Sequence, residues 1–263
     1  MRRTLRARTR ASEEPRVRLP FRLGRPPLIE AMFELRFDPT RESAGDLLPG
    51  LLYRGLKAEY RSSEALPLAS VPRQMREQDE NLRFRPLHRL IGEDRSVQIG
   101  EHVLNLSQSP PYEGWNSFVI RIRALINLAK ETELLGTIHR FSIRCVNVLP
   151  AAAGQQLGLL DAQFLLSGQP APEKGFNFRT ELETEGFVSI VRILTSGQVA
   201  LKTGAVRTGL IVDVDTVRFT DAEEFWTSTS DLLEKAHLTI KRTFFSLLKP
   251  ATLEHLQPQW EEL

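Results

Sequence analysis

The segment Leu28-Ile29-Glu30-Ala31-Met32-Phe33-Glu34-Leu35-Arg36-Phe37-Asp38 alternates between apolar and mostly polar side chains. A period of two is typical of a β-strand with one buried face. The apolar positions from Ile29 to Phe37 are expected to face a core, and Glu30, Glu34 and Arg36 to lie on the opposite face. This segment decides the fold class because it predicts a sheet that is covered on one side.

A helix, three short strands and a long helix are predicted to follow this first strand. Leucines at a spacing of three to four between residues 41 and 60 predict the first helix. A polar connection then leads to strands expected near residues 82–91, 96–100 and 103–107, with turn residues between them. The long helix is predicted to follow the segment Pro110-Pro111-Tyr112-Glu113-Gly114-Trp115 and to continue to about residue 135.

The second part of the chain has the same predicted order of elements. A strand over residues 139–149 leads to a weak helix at residues 155–160. Three strands are predicted over residues 176–184, 187–195 and 207–219. A final helix should begin at a capping box formed by Thr220 and Glu223 and end at Lys249-Pro250.

Both parts therefore have the order β-α-β-β-β-α, which predicts an α+β protein built from two such halves. Strands joined by hairpins favour antiparallel sheet with the long helices packed on one face. The two sheets could join edge to edge into one continuous curved sheet, as in the saddle of TATA-box-binding proteins or in a helix-grip fold. The predicted divisions are a disordered basic tail over residues 1–25, a first half over 26–136 and a second half over 137–263.

Positive charge is concentrated at the N-terminus. Residues 1–26 contain nine arginines and two glutamates, whereas the remaining chain carries 26 basic and 31 acidic side chains. Three interpretations of the tail stay open: a disordered leader, which we favour, an arm that binds nucleic acid through charge, or an organellar transit peptide.

Composition narrows the classes of protein and site. No apolar run approaches the roughly 20 residues of a membrane span, and no apolar secretory signal is visible, so no membrane partner is expected. The single cysteine, Cys145, leaves no internal disulfide framework and no multi-cysteine zinc site. A reducing cytoplasm is therefore the expected location, and we predict no cofactor and no metal.

Two acidic residues and one histidine are candidates for chemistry. Asp213 and Asp215 lie two apart on a predicted strand, so both carboxylates share one face and could serve a hard cation or acid–base catalysis. Pairing with arginines is the interpretation that we favour. His237 lies beside the apolar stripe of the final helix, where a hydrogen-bonded boundary histidine is more common than a general base or a metal ligand.

Other candidates suit binding. Arg144 belongs on the same face as Glu30, Glu34 and Arg36, and these charges could bind a polar partner or pair with one another. Asn147 is predicted to share the opposite face of its strand with Cys145. Tyr112 and Trp115 flank Gly114, where they could form a binding rim or, as we favour, fix the entry of the helix into the core.

Several segments together resemble a sporadically distributed family of uncharacterised bacterial proteins of about this length. The resemblance implies the same fold over nearly the whole chain from residue 26 onward, but it implies no activity. Family members usually carry an aromatic residue where this chain has Cys145, which argues against a required cysteine nucleophile. The motifs that carry the resemblance are residues 27–37, Pro111-Tyr112-Glu113-Gly114-Trp115, Arg144-Cys145-Val146-Asn147, Val212-Asp213-Val214-Asp215, and His237 followed by Phe244-Phe245.

The pattern as a whole favours a non-catalytic protein that binds another protein or a peptide, as an accessory, inhibitor or defence-associated factor. One alternative is a nucleic-acid-binding protein that uses residues 1–25 and the sheet. Another is an unrecognised hydrolase or metal-dependent enzyme centred on Asp213, Asp215 and His237. The sequence does not determine the oligomeric state.

Overall fold

The computed structural model describes residues 18–201 and 204–261, and it has the α+β fold that the sequence predicts. The strands are β1 Arg22–Leu23, β2 Leu28–Pro39, β3 Ser62–Ala65, β4 His88–Ile91, β5 Arg95–Ile99, β6 Val103–Gln108, β7 Leu135–Leu149, β8 Leu165–Leu166, β9 Gln169–Pro170, β10 Asn177–Thr184, β11 Phe187–Ala200, β12 Val206–Phe219 and β13 Pro258–Gln259. The α-helices are α1 Ala44–Leu56, α2 Arg73–Gln78, α3 Glu80–Arg83, α4 Trp115–Glu131, α5 Ala222–Ser246 and α6 Pro250–His255.

In the described part of the chain, nine strands form one open antiparallel sheet in the order β10-β11-β12-β7-β2-β6-β5-β4-β3. The central strands β2 and β7 pair with each other, so the two predicted sheets are joined into one. Moving outward, β6, β5 and β4 follow on one side, and β12, β11 and β10 follow on the other. This strand order is the one expected if two similar halves were joined at β2 and β7. The internal repeat itself stays a prediction.

The helices α1, α4 and α5 pack on one face of this sheet, because that face carries the apolar positions of each strand. On β2 these are the alternate residues from Ile29 to Phe37, all of them buried. Those from Ala31 to Phe37 share one core with Leu125 of α4 and Leu233 of α5. We call the opposite face, which carries Glu34 and Arg36, the open face.

The segment between α1 and β4 is more ordered than the sequence predicts. A polar connection was expected up to residue 80, followed by a strand from residue 82. Instead the structure has the edge strand β3 and two short helices, and β4 begins only at His88. The carboxylate of Asp79 accepts a hydrogen bond from the backbone of Asn81 and so caps α3, which keeps residues 80–83 helical.

Two helix predictions in the second half are also corrected. The weak helix expected at residues 155–160 is a short 3₁₀ turn at Leu157–Leu159, which contains the helix-disfavouring Gly158. The final helix is capped by Asp221, whose carboxylate accepts a hydrogen bond from the backbone of Glu224 at 2.8 Å. The sequence placed the cap of this helix at Thr220, one residue too early. Asp221 takes the position instead, because aspartate is at least as good a helix cap as threonine.

Ordered structure begins before residue 26, where the sequence placed the end of the tail. β1 pairs with β13, and the ammonium group of Lys241 donates a hydrogen bond to the carbonyl of Pro20 at 3.0 Å. Residues 18–25 are thus attached to the C-terminal part of the chain. The rest of the predicted tail, residues 1–17, lies outside the described residues.

Candidate functional site

Six of the ten residues proposed from the sequence lie on the open face. The strands that carry them, β2, β7 and β12, are neighbours in the sheet. Register places Arg144 directly between Met32 and Asp215, and Val146 between Glu30 and Asp213. The six residues are Glu30, Glu34, Arg36, Arg144, Asp213 and Asp215.

Asp213 forms the best-ordered ion pair on this face. Its two carboxylate oxygens accept hydrogen bonds from Nε and Nη2 of Arg144, both at 2.8 Å. Nη1 of Arg192 on β11 lies 3.4 Å from the same carboxylate. The Asp213 hydrogen bonds are the largest influence that raises the pKa of Arg144 above its ordinary value. Because Asp213 is only 4% exposed and is engaged by two arginines, it is poorly placed to bind a cation.

Glu34 is the centre of a second cluster. One of its oxygens accepts hydrogen bonds from Nε of Arg36 and Nη2 of Arg140, each at 2.7 Å. The Arg36 guanidinium also lies over the Phe84 ring, 4.7 Å from its centroid. The segment that contains α2 and α3 therefore covers this end of the open face.

Three buried polar atoms, on residues that neighbour Glu34 or Arg144 in the sheet, have no hydrogen-bond partner within residues 18–201 and 204–261. They are Oδ1 of Asn105, Nε of Arg140 and Oδ1 of Asp215. Burial raises the pKa of Asp215, although a hydrogen bond from Ser142 and the charge of Arg140 oppose this increase. Buried polar groups are nearly always paired in folded proteins. Five further buried side-chain atoms of the described residues also lack a partner, on Arg83, Arg89, Arg123, Glu173 and Arg218.

The other four proposed residues lie among the helices or on the covered face of the sheet. The indole of Trp115 stacks on His237, with ring centroids 4.1 Å apart, and donates a hydrogen bond to Glu234 at 2.8 Å. Asn147 is buried and donates to the carbonyl of Val212 at 3.4 Å. The sheet therefore separates His237 from Asp213 and Asp215, and the three do not form one site.

Tyr112 and Cys145 lie in the same covered environment. Burial raises the pKa of Tyr112, whose ring packs edge-on against Phe118. Burial, with smaller contributions from Asp213 and Asp215, raises the pKa of the Cys145 thiol to about 12. The thiolate form is therefore disfavoured near neutral pH, which does not suit a nucleophile.

His237 should make the stability of the protein depend on pH. Burial, followed by the charge of Lys241, lowers its pKa from 6.5 to about 3. The unfolded chain therefore binds a proton at a higher pH than the folded protein, and stability is lost as the pH falls below the ordinary value. Between pH 7 and pH 5 the loss from this residue is about 2 kcal/mol.

The variant His237→Phe keeps an aromatic ring against Trp115 but cannot titrate. Denaturant unfolding of both proteins at pH 7 and pH 5 should show that the substitution removes about 2 kcal/mol of the pH dependence. His255→Phe is the control, because it makes the same chemical change at an exposed histidine. An unchanged pH dependence in His237→Phe would contradict the assignment.

Sequence reasoning missed a second polar cluster at the end of the sheet. Oδ1 of Asp38 lies 3.1 Å from Nδ1 of His102, and Oδ2 lies 2.9 Å from Nε2 of His139. The other nitrogen of His102 lies 3.1 Å from Glu77, and Arg83 donates to Asp38 at 2.8 Å. The cluster attaches α2 and α3 to the sheet. Its residues lie far apart in sequence, so no local pattern groups them.

Searches for a metal-binding group, for clefts and for membrane-spanning helices cover the described residues. Among the described residues, no group of three or more histidine, cysteine, aspartate or glutamate side chains is arranged to bind a metal ion. Clefts of about 220 and 430 Å³ lie beside α6 and between α4 and α5, and no open-face residue lines either of them. None of the described helices is both long and apolar enough to cross a membrane.

A scan against protein-family models found no match, and a search of curated proteins found none either. The family resemblance noted from the motifs therefore stays a prediction.

Proposed function

We propose that this protein binds a segment of another protein on its open face and acts without catalysis, as an accessory, inhibitor or defence-associated factor. The observation that carries the proposal is the group of three buried polar atoms on Asn105, Arg140 and Asp215 that lack partners among the described residues. A bound polypeptide offers both donors and acceptors, and it would pair with these atoms once the side chains that close them off from solvent move aside.

The positions of these atoms suit an extended segment that crosses several strands. Asn105 on β6 is opposite Glu34 on β2, and Arg140 on β7 donates to that same Glu34. Asp215 lies on β12, the next strand. The oxygens of Asn105 and Asp215 provide acceptors, and Nε of Arg140 provides a donor.

Charge on the open face favours protein over nucleic acid. The arginines at positions 36, 140 and 144 are each paired with Glu34 or Asp213, so this face is mixed in sign. A nucleic-acid surface is usually dominated by unpaired basic groups. The nucleic-acid alternative therefore depends on the arginines of residues 1–17. The hydrolase alternative is weakened because the sheet lies between His237 and the two aspartates.

The variant Asn105→Ala separates binding from folding. Removing an unpaired buried oxygen should leave stability unchanged or higher, because no hydrogen bond of that oxygen is lost. Binding of a partner should weaken about tenfold, since a lost buried hydrogen bond costs about 1.4 kcal/mol. The measurement is gentle co-purification from the native host, identification of the retained chain by mass spectrometry, and calorimetric titration with that chain.

The matched control is Asn127→Ala on the exposed surface of α4, which makes the same chemical change on the helical side. It should retain the partner as the unmodified protein does. Recovery of the unmodified protein without any partner would contradict the proposal, and so would equal affinity of the two variants.

A further inference from the structure

One end of the sheet is a long unpaired edge. Within the described residues, β10 pairs with β11 and with no other strand, and its eight residues leave one side unbonded. The opposite edge, β3, has only four residues. A long edge strand presents a row of backbone donors and acceptors that can pair with another chain.

The hairpin geometry determines which backbone groups face outward. β10 and β11 are joined by Glu185 and Gly186, which have φ values of 50° and 81°, as a two-residue type I′ turn requires. Thr184 and Phe187 flank the turn and exchange hydrogen bonds, so the even-numbered residues of β10 bond to β11. The odd-numbered residues therefore direct their N–H and C=O groups away from the sheet.

Side chains along this edge are complementary to the same edge in a second copy. In an antiparallel pair centred on Thr180, Arg179 of one copy lies opposite Glu181 of the other. Asn177 then lies opposite Glu183, with no like charges facing each other. On the covered face of the sheet, Phe178 meets Leu182, which is 42% exposed in the single chain.

Neighbouring registers are worse. A pair centred on Glu181 places this glutamate opposite the glutamate of the other copy. A pair centred on Arg179 likewise places two arginines opposite each other. A centre at Leu182 places Glu181 opposite Glu183. The register centred on Thr180 is therefore favoured by both charge and apolar contact.

We propose that two copies of this chain associate through β10, in an antiparallel pair centred on Thr180. The two-fold axis is perpendicular to the sheet, so both nine-stranded sheets join and both open faces lie on the same side. The assembly presents the binding surface twice, side by side. This interface goes beyond the proposed function, and its test requires no knowledge of the partner.

The experiment is sedimentation equilibrium of the full chain from about 1 to 100 µM, a range in which weak dimers dissociate. The unmodified chain should form a dimer. Glu181→Arg places arginine opposite Arg179 twice per dimer, and should raise the dissociation constant at least about tenfold. Adding Arg179→Glu to that variant restores opposite charges, and should return the constant to within about threefold of the original value.

Two further variants test the edge and its register. In the proposed register residue 183 faces Asn177, so Glu183→Arg should change the dissociation constant by less than about threefold. If the pair were instead centred on Glu181, the new arginine would lie opposite Arg179 and weaken the dimer. Glu64→Arg on β3 is the control at the other edge and should have no effect. A monomer at every concentration would overturn the proposal, as would a dimer insensitive to Glu181→Arg or one that the double exchange does not restore.

Discussion

Replacing Phe141 with alanine should lower the free energy of unfolding by about 4 kcal/mol. The side chain is fully buried on the central strand β7. Its ring centroid lies 6.5 Å from Phe33, 6.5 Å from Phe187 and 5.7 Å from Phe225. Phe33 belongs to the first predicted half and the other two to the second. Because the Phe141 ring packs against both halves, the loss of stability should appear in a single unfolding transition of the whole chain.

Urea unfolding followed by tryptophan fluorescence and by circular dichroism measures this effect. Phe219→Ala is the matched control, since that ring is 65% exposed and the change should cost less than about 0.5 kcal/mol. If Phe141→Ala does not fold, Phe141→Leu should still cost about 1 kcal/mol. A loss confined to one of two separate transitions would show that the halves unfold independently.

Removing the charge of Glu101 should cost about 3 kcal/mol. Arg76 and Glu101 are 8% and 7% exposed, and Nη2 of Arg76 donates to the carboxylate at 2.7 Å. Glu101→Gln leaves the arginine charge buried with only part of its hydrogen bonds. This pair connects α2 to the β5–β6 turn, so residues 66–87 should also become more sensitive to trypsin.

The exposed pair of Arg89 and Glu64 provides the comparison. Their side chains are 39% and 46% exposed, and Glu64→Gln should cost less than about 1 kcal/mol. Combining Glu101→Gln with Arg76→Met removes both charges and should recover part of the lost stability. If Glu101→Gln costs no more than Glu64→Gln, the ion pair does not hold the segment in place.

Much of the fold could be predicted because its signals are local. The alternation from Leu28 to Asp38 identifies β2 and its two faces, and the apolar stripe of the last helix identifies α5. Short elements were missed where a single side chain decides the structure. The cap at Asp79 creates α3 within a stretch that resembles a strand, and Asp221 replaces Thr220 as the cap of α5.

The candidate site was predictable only in part. Alternation places Glu34, Arg36 and Arg144 on one face, and the spacing of Asp213 and Asp215 places both on one side of a strand. Asn105 and Arg140 were missed because nothing in their local sequence shows that they neighbour Glu34. His237 was grouped with the aspartates by residue type, although the sheet lies between them.

The sequence by itself determined which strand positions face the core, because side chains of a strand alternate with a period of two whatever the strand pairs with. Only the tertiary structure decided which strands are neighbours and in which register. Arg144 meets Asp213 across 69 residues, and Arg140 meets Glu34 across 106. A shift of one residue in either pairing would turn these side chains to the other face, so the open-face site exists only because packing of the whole core selects this register.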